Sequence, residues 1–111
     1  MGAELGFFNN VAYQAFKGAL RQMTKSMAMD YAKYNIRVNN LSPGYIKTNM
    51  TKLSFQNKNK KKKLINRTII GRLGDPKDLV GTAIFLASSA SNYITAQDIR
   101  VDGGFTAKGD I

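Results

Sequence analysis

The sequence predicts an α/β fold in which helices cover a parallel sheet. Apolar side chains recur at helical spacing in two segments, and each of those segments is followed by a short strand-like run rich in β-branched residues. The order helix, strand, polar insertion, helix, strand is the alternation of a parallel sheet joined by helical crossovers. At 111 residues the prior is a single domain with a modest core.

Asn9 or Asn10 supplies a helix cap. Phe16, Leu20, Met23, Met27 and Tyr31 then recur at steps of four, three, four and four, which predicts one buried face on a helix from about Val11 to Tyr34. NIRVNNL reads as a strand over 36–41, ended by SPG. Residues 48–70 are polar, rich in lysine and asparagine and weakly helical, so they read as a flap in place of a rigid element. Asp75 is a cap and Pro76 the first residue of a second helix, with Leu79, Val80, Ala83, Leu86 and Ala87 facing inward and an end near Ser88. QDIRVDGG supplies a last strand over 98–102, with Ile99 and Val101 on one side and two glycines closing it. The two strands are expected to pair in parallel.

The net charge of +10 is unevenly placed: Lys58, Lys60, Lys61, Lys62, Lys63 and Arg67 fall close together. No aromatic residue interrupts the run for base stacking, so it reads as an exposed, mobile, solvated surface, with an anion-binding patch as the alternative, and no nucleic-acid partner is expected. With no cysteine and no histidine, neither a disulfide framework nor the usual zinc or iron ligand set is available, and no metal is expected. No apolar run approaches the roughly 20 residues that span a bilayer and no leader pattern opens the chain, so the expectation is a soluble cytoplasmic protein.

Chemistry enters at VAYQAFKGAL. Residues four apart on a helix project from the same face, so Tyr13 and Lys17 can act on one spot. An ammonium stabilises a nearby phenolate, which makes a tyrosine usable as general acid and base. On spacing alone the same pair also fits an ordinary solvated helix face. The glycine-rich turn from a strand into a helix that holds a dinucleotide pyrophosphate does not occur in these residues.

YQAFKGAL, NIRVNNLSPGYIKTNM, GRLGDPKDLVGTAIFLASSASNYIT and VDGG together resemble the short-chain dehydrogenase/reductase family, in its order and spacing, over nearly the whole chain. The wording is most similar to members acting on sugar acids, the gluconate 5-dehydrogenase group, while 3-oxoacyl carrier-protein reductases share much of it. The resemblance implies the C-terminal half of a Rossmann-like doubly wound parallel sheet: two strands, two main helices and a substrate flap, with residues 1–111 as part of one NAD(P)-binding domain. It implies NAD or NADP as cofactor and a small hydroxy or keto compound as substrate. Tyr13 would pass the proton to or from the substrate oxygen. Lys17 would assist it and hold the nicotinamide ribose. Pro43 and Gly44 would form the turn against the nicotinamide, with Ile46 and Thr48 contacting its carboxamide.

Three departures stand beside these matches. Phe16 occupies the position of a small serine, TAQD replaces TGQ, and the family's catalytic serine would fall before Met1. The expectation is therefore a truncated chain, inactive alone, that associates with itself or with a missing N-terminal half. A non-catalytic interaction module is the alternative, and a basic nucleic-acid-binding domain, favoured by net charge alone, comes last.

Overall fold

A computed structural model of the chain describes residues 5–109. Helix α1 (Val11–Tyr31) runs for 21 residues and continues as a 3₁₀ turn over Ala32–Tyr34, which matches the expected span. Asn10 occupies the cap position, but its side chain makes no capping hydrogen bond. The helix ends at Asn35, whose left-handed φ of 59° lets its N–H reach the Ala32 carbonyl, a conformation asparagine tolerates better than most residues.

The buried stripe of α1 corrects the expected one. Thr24 and Ala28 are buried, whereas Phe16, Met23 and Tyr31 are exposed. The Thr24 hydroxyl donates to the Asn40 side-chain oxygen at 2.8 Å, and the Arg21 Nε lies 3.5 Å from an Asp98 oxygen. Small residues at 24 and 28 let the helix approach the strands closely; of the expected stripe Leu20 and Met27 remain half-buried, Leu20 lining the cleft beside Asn40 and Leu41.

Among the described residues the sheet is two-stranded and parallel, as expected. Strand β1 (Asn40–Pro43) pairs with strand β2 (Asp98–Val101) in the register Asn40 to Asp98 and Pro43 to Val101. Strand β1 starts later than the predicted 36–41. Side chains explain the shift: Arg37 donates to Ser91 Oγ and to the carbonyls of Leu86, Ser88 and Ile94, while Asn39 bonds the Ile94 carbonyl and the Gln97 N–H. These groups anchor the approach to the strand outside the ladder. Past Pro43, the Gly44 N–H donates to the Val101 carbonyl at 3.0 Å, so the proline's missing donor falls at the end of the ladder.

Residues 48–70 are mostly helical. Helix α2 (Asn49–Lys52), a 3₁₀ turn (Leu53–Phe55) and helix α3 (Lys58–Arg67) follow one another. Thr48 caps α2 through reciprocal bonds with Thr51, and Asn57 caps α3 through the Lys60 N–H. Residues 57–63 are all exposed, as expected. The far end of α3 is fastened: the Arg67 guanidinium stands 5.0 Å from the Phe105 ring, and the Lys108 ammonium donates to the Asn66 carbonyl.

The second main helix opens as a 3₁₀ turn over Pro76–Leu79 and continues as helix α4 (Val80–Ala87), ending at Ser88. Asp75 is the cap residue, but its carboxylate pairs with Lys47; the Asp78 carboxylate reaches back to the Asp75 N–H at 2.7 Å. The inward face is also corrected. Leu79, Thr82 and Leu86 are half-buried, while Val80, Ala83 and Ala87 are exposed. The 3₁₀ opening advances the chain about 120° per residue in place of 100°, which rotates the stripe that follows. Among the apolar side chains described, Ala28, Ile46, Leu73 and Phe105 are buried. No helix of the described residues is long and apolar enough to cross a membrane.

Candidate active site

Helix α1 and the C-terminal end of β1 face each other across a cleft of about 490 Å³. Tyr13 and Lys17 line it from the helix; Pro43, Gly44 and Ile46 line it from the strand end and the turn beyond. The fold thus brings five of the six predicted site residues to one cavity. The Lys17 ammonium lies 5.3 Å from the centroid of the Tyr13 ring and 6.0 Å from that of Phe16, within cation–π range of the nearer one. Tyr13 is 53% exposed, so its phenol is open to a ligand.

The wall at Gly44 is built by close backbone approach. A Cβ there would lie 2.6 Å from the Asp102 Cα, so only glycine lets the turn run against the end of β2. Asp102 is fixed in turn: its carboxylate accepts from the Gly104 and Thr106 N–H groups and from the Thr106 hydroxyl. Burial pushes the Asp102 carboxyl up, but these bonds outweigh it and hold the carboxyl below its ordinary value. Ile46 is buried and fills the space that a side chain on Gly74 would need.

Thr48 stands apart from the cleft. It lines a separate groove with Lys52 and Leu73 and is linked to the cleft through Thr51, whose hydroxyl donates to the Ile46 carbonyl at 2.7 Å. Several polar residues of the cleft escaped sequence reasoning. Asn40 and Ser42 point to one face of β1, and Ser42 donates to the Asp98 carboxylate, which also faces Arg21. Two polar residues at i and i+2 in a strand were the available signal. Tyr45 is the second tyrosine of the cleft. Burial pushes its phenol above the usual value, against the opposing charge of Arg67.

The sequence profile of the family described as enoyl-(acyl carrier protein) reductase matches residues 1–106. The chain belongs to the short-chain dehydrogenase/reductase family. It is 41% identical over 104 residues to 5-keto-D-gluconate 5-reductase of Escherichia coli K12, covering 94% of this chain and 41% of that protein. It is 44% identical over 104 residues to the 3-oxoacyl-[acyl-carrier-protein] reductase FabG of Chlamydia pneumoniae, again covering 94% and 41%. The crystal structure of a gluconate 5-dehydrogenase from Burkholderia cenocepacia J2315, in complex with NADP and tartrate, superposes with a TM-score of 0.93 at 40% identity, covering 97% of this chain and 42% of that one. The chain thus spans about two-fifths of the length of these relatives, and its α/β unit corresponds to part of a Rossmann-like fold.

Proposed function

We propose that the chain is the C-terminal part of an NAD(P)-dependent oxidoreductase that interconverts a secondary alcohol and a ketone on a sugar acid, polyol or similar small molecule. The observation that carries this reading is the convergence of Tyr13 and Lys17 on the cleft walled by Pro43, Gly44 and Ile46. The donor set suits the nicotinamide end of a dinucleotide: a flat turn without side-chain bulk at Gly44, a phenol, an ammonium, and a buried apolar residue at Ile46. Bound there, the nicotinamide supplies or accepts the hydride. Tyr13 donates its hydroxyl proton to the substrate oxygen during reduction and takes it back during oxidation. Lys17 stabilises the phenolate that this leaves and holds the ribose; Thr48, which lines the separate groove, is left without a part in this arrangement. Residues 48–70 close over the substrate as a flap.

The adenosine and pyrophosphate end finds no glycine-rich strand-to-helix turn in these residues, so the 111-residue chain alone is expected neither to bind NAD(P)H saturably nor to turn over. The exposed apolar side chains Phe16, Met23, Val80 and Ile84 support association with a second copy or with an N-terminal half. A soluble cytoplasmic setting fits a sequence without cysteine and described residues without a membrane-spanning helix. The identity to the Chlamydia FabG favours 3-oxoacyl carrier-protein reduction as a second reading.

The test is a chimera joining the N-terminal part of the E. coli 5-keto-D-gluconate 5-reductase to this chain. NAD(P)H-linked reduction of 5-keto-D-gluconate, compared with that of a 3-oxoacyl carrier-protein thioester, separates the two readings. A folded chimera inactive on both, with the cofactor bound, supports the interaction module instead.

A further inference from the structure

From Tyr31 to Gly74 the sequence contains no aspartate or glutamate. Within that span α2, the Leu53–Phe55 turn and α3, with Lys47 and Leu73 beside them, border an open groove of about 370 Å³, inside the usual size range of small-molecule sites. Lys47, Lys52 and Lys61 line it, with the buried Leu73 and the half-buried Phe55 supplying apolar surface. Lys47 is shared with Asp75, whose two oxygens lie 3.3 Å from its ammonium. Lys52 and Lys61 pair with no carboxylate among the described residues. Like charges gathered round a concave apolar surface repel one another and raise the local concentration of anions. The other α3 lysines do not line the groove.

We propose that this groove binds a small, multiply charged oxyanion, a polycarboxylate or a phosphate ester, with Lys52 and Lys61 closing on its charged groups and Phe55 and Leu73 packing against its carbon skeleton. The site shares no lining residue with the Tyr13 cleft. It stands whether or not the chain is an oxidoreductase.

The experiment is isothermal titration of the 111-residue chain, at physiological salt, with citrate, ribose 5-phosphate and inorganic phosphate. Saturable one-to-one binding of citrate or of ribose 5-phosphate, tighter than that of inorganic phosphate, is expected, and which of the two binds identifies the source of the charge. Lys52→Ala/Lys61→Ala should weaken that binding by about tenfold or more, as befits loss of direct charge-assisted contacts. Lys60→Ala/Lys63→Ala removes the same charge from residues outside the groove and should change it by less than about twofold. Equal weakening by the two double variants would overturn the proposal, since it marks diffuse attraction. So would the absence of saturable binding, inorganic phosphate binding as tightly as either organic anion, or a single-stranded oligonucleotide outcompeting both.

Discussion

Gly44→Ala puts a methyl group where the turn after β1 runs against Asp102. The added carbon would sit 2.6 Å from the Asp102 Cα and 2.9 Å from its Cβ, well inside the roughly 3.5–4.0 Å at which carbons make favourable contact. The obstacle is backbone, and it is held: three hydrogen bonds from Gly104 and Thr106 fix the Asp102 carboxylate. The Gly44 N–H is itself committed to the Val101 carbonyl at 3.0 Å. The ends of β1 and β2 must therefore part. Overpacking of this kind costs about 1–3 kcal/mol and the lost ladder bond about 1 kcal/mol more, which together give a destabilisation of roughly 2–4 kcal/mol. Gly18→Ala is the matched control, because nothing lies within 4 Å of the added carbon inside α1; it should stabilise by about 0.5–1 kcal/mol. Urea denaturation followed by far-ultraviolet circular dichroism measures both. A Gly44→Ala protein within about 0.5 kcal/mol of the parent would refute the claim that this turn is pinned.

Three further outcomes are expected. Arg37→Met strips one guanidinium from Ser91 Oγ and three carbonyls and should cost about 3 kcal/mol in the same denaturation assay. Acid should destabilise the fold: the Arg72 side chain, then the Asp75 N–H, hold the Asp78 carboxyl well below its ordinary value, and Asp102 is also held low. Such carboxylates contribute fully above the unfolded value near 4 and lose that contribution as pH falls toward the folded values, so unfolding midpoints should decline below about pH 4 and do so less steeply in Asp78→Asn. In the active chimera, Tyr13→Phe should lower turnover by about 10² to 10⁴-fold and Lys17→Met should weaken both turnover and cofactor affinity; unchanged kcat in Tyr13→Phe would remove it as the proton donor.

Much of the architecture was legible because it is written locally. Helix α1 announces itself by period, the Pro76 turn by its proline, and the parallel pairing by the alternation of helix and strand. What was misread depends on long-range geometry. The periodicity of α1 marks an apolar stripe, but which stripe meets the sheet is decided by where Thr24 finds Asn40, a partner 16 positions away. The start of β1 moved because Arg37 and Asn39 are satisfied by the segment 86–97, whose position no local pattern reveals. In the cleft, Tyr13 and Lys17 were found through their spacing, and Pro43, Gly44 and Ile46 through the family resemblance. Asn40, Ser42 and Asp98 were not, since each is an ordinary polar residue until the parallel register sets them together. Thr48 lies outside the cleft, because the reciprocal Thr48–Thr51 cap ties it to the start of α2.

The parallel pairing of β1 with β2 also dictates the order in which the molecule assembles. Ser42 and the Asp98 it bonds are 56 positions apart, so the sheet exists only after a long loop has closed, at an entropic cost on the order of 3–4 kcal/mol. Helices α1 and α3 need no such closure and form on the microsecond scale of local structure. Strand pairing, and with it the bonds from Arg37 to the carbonyls of Leu86 and Ser88, is therefore the late and slow event. Helical signal should appear before the cleft does, and a substitution at Arg37 should change the rate of reaching the native state where one in the outer face of α3 leaves it unaltered.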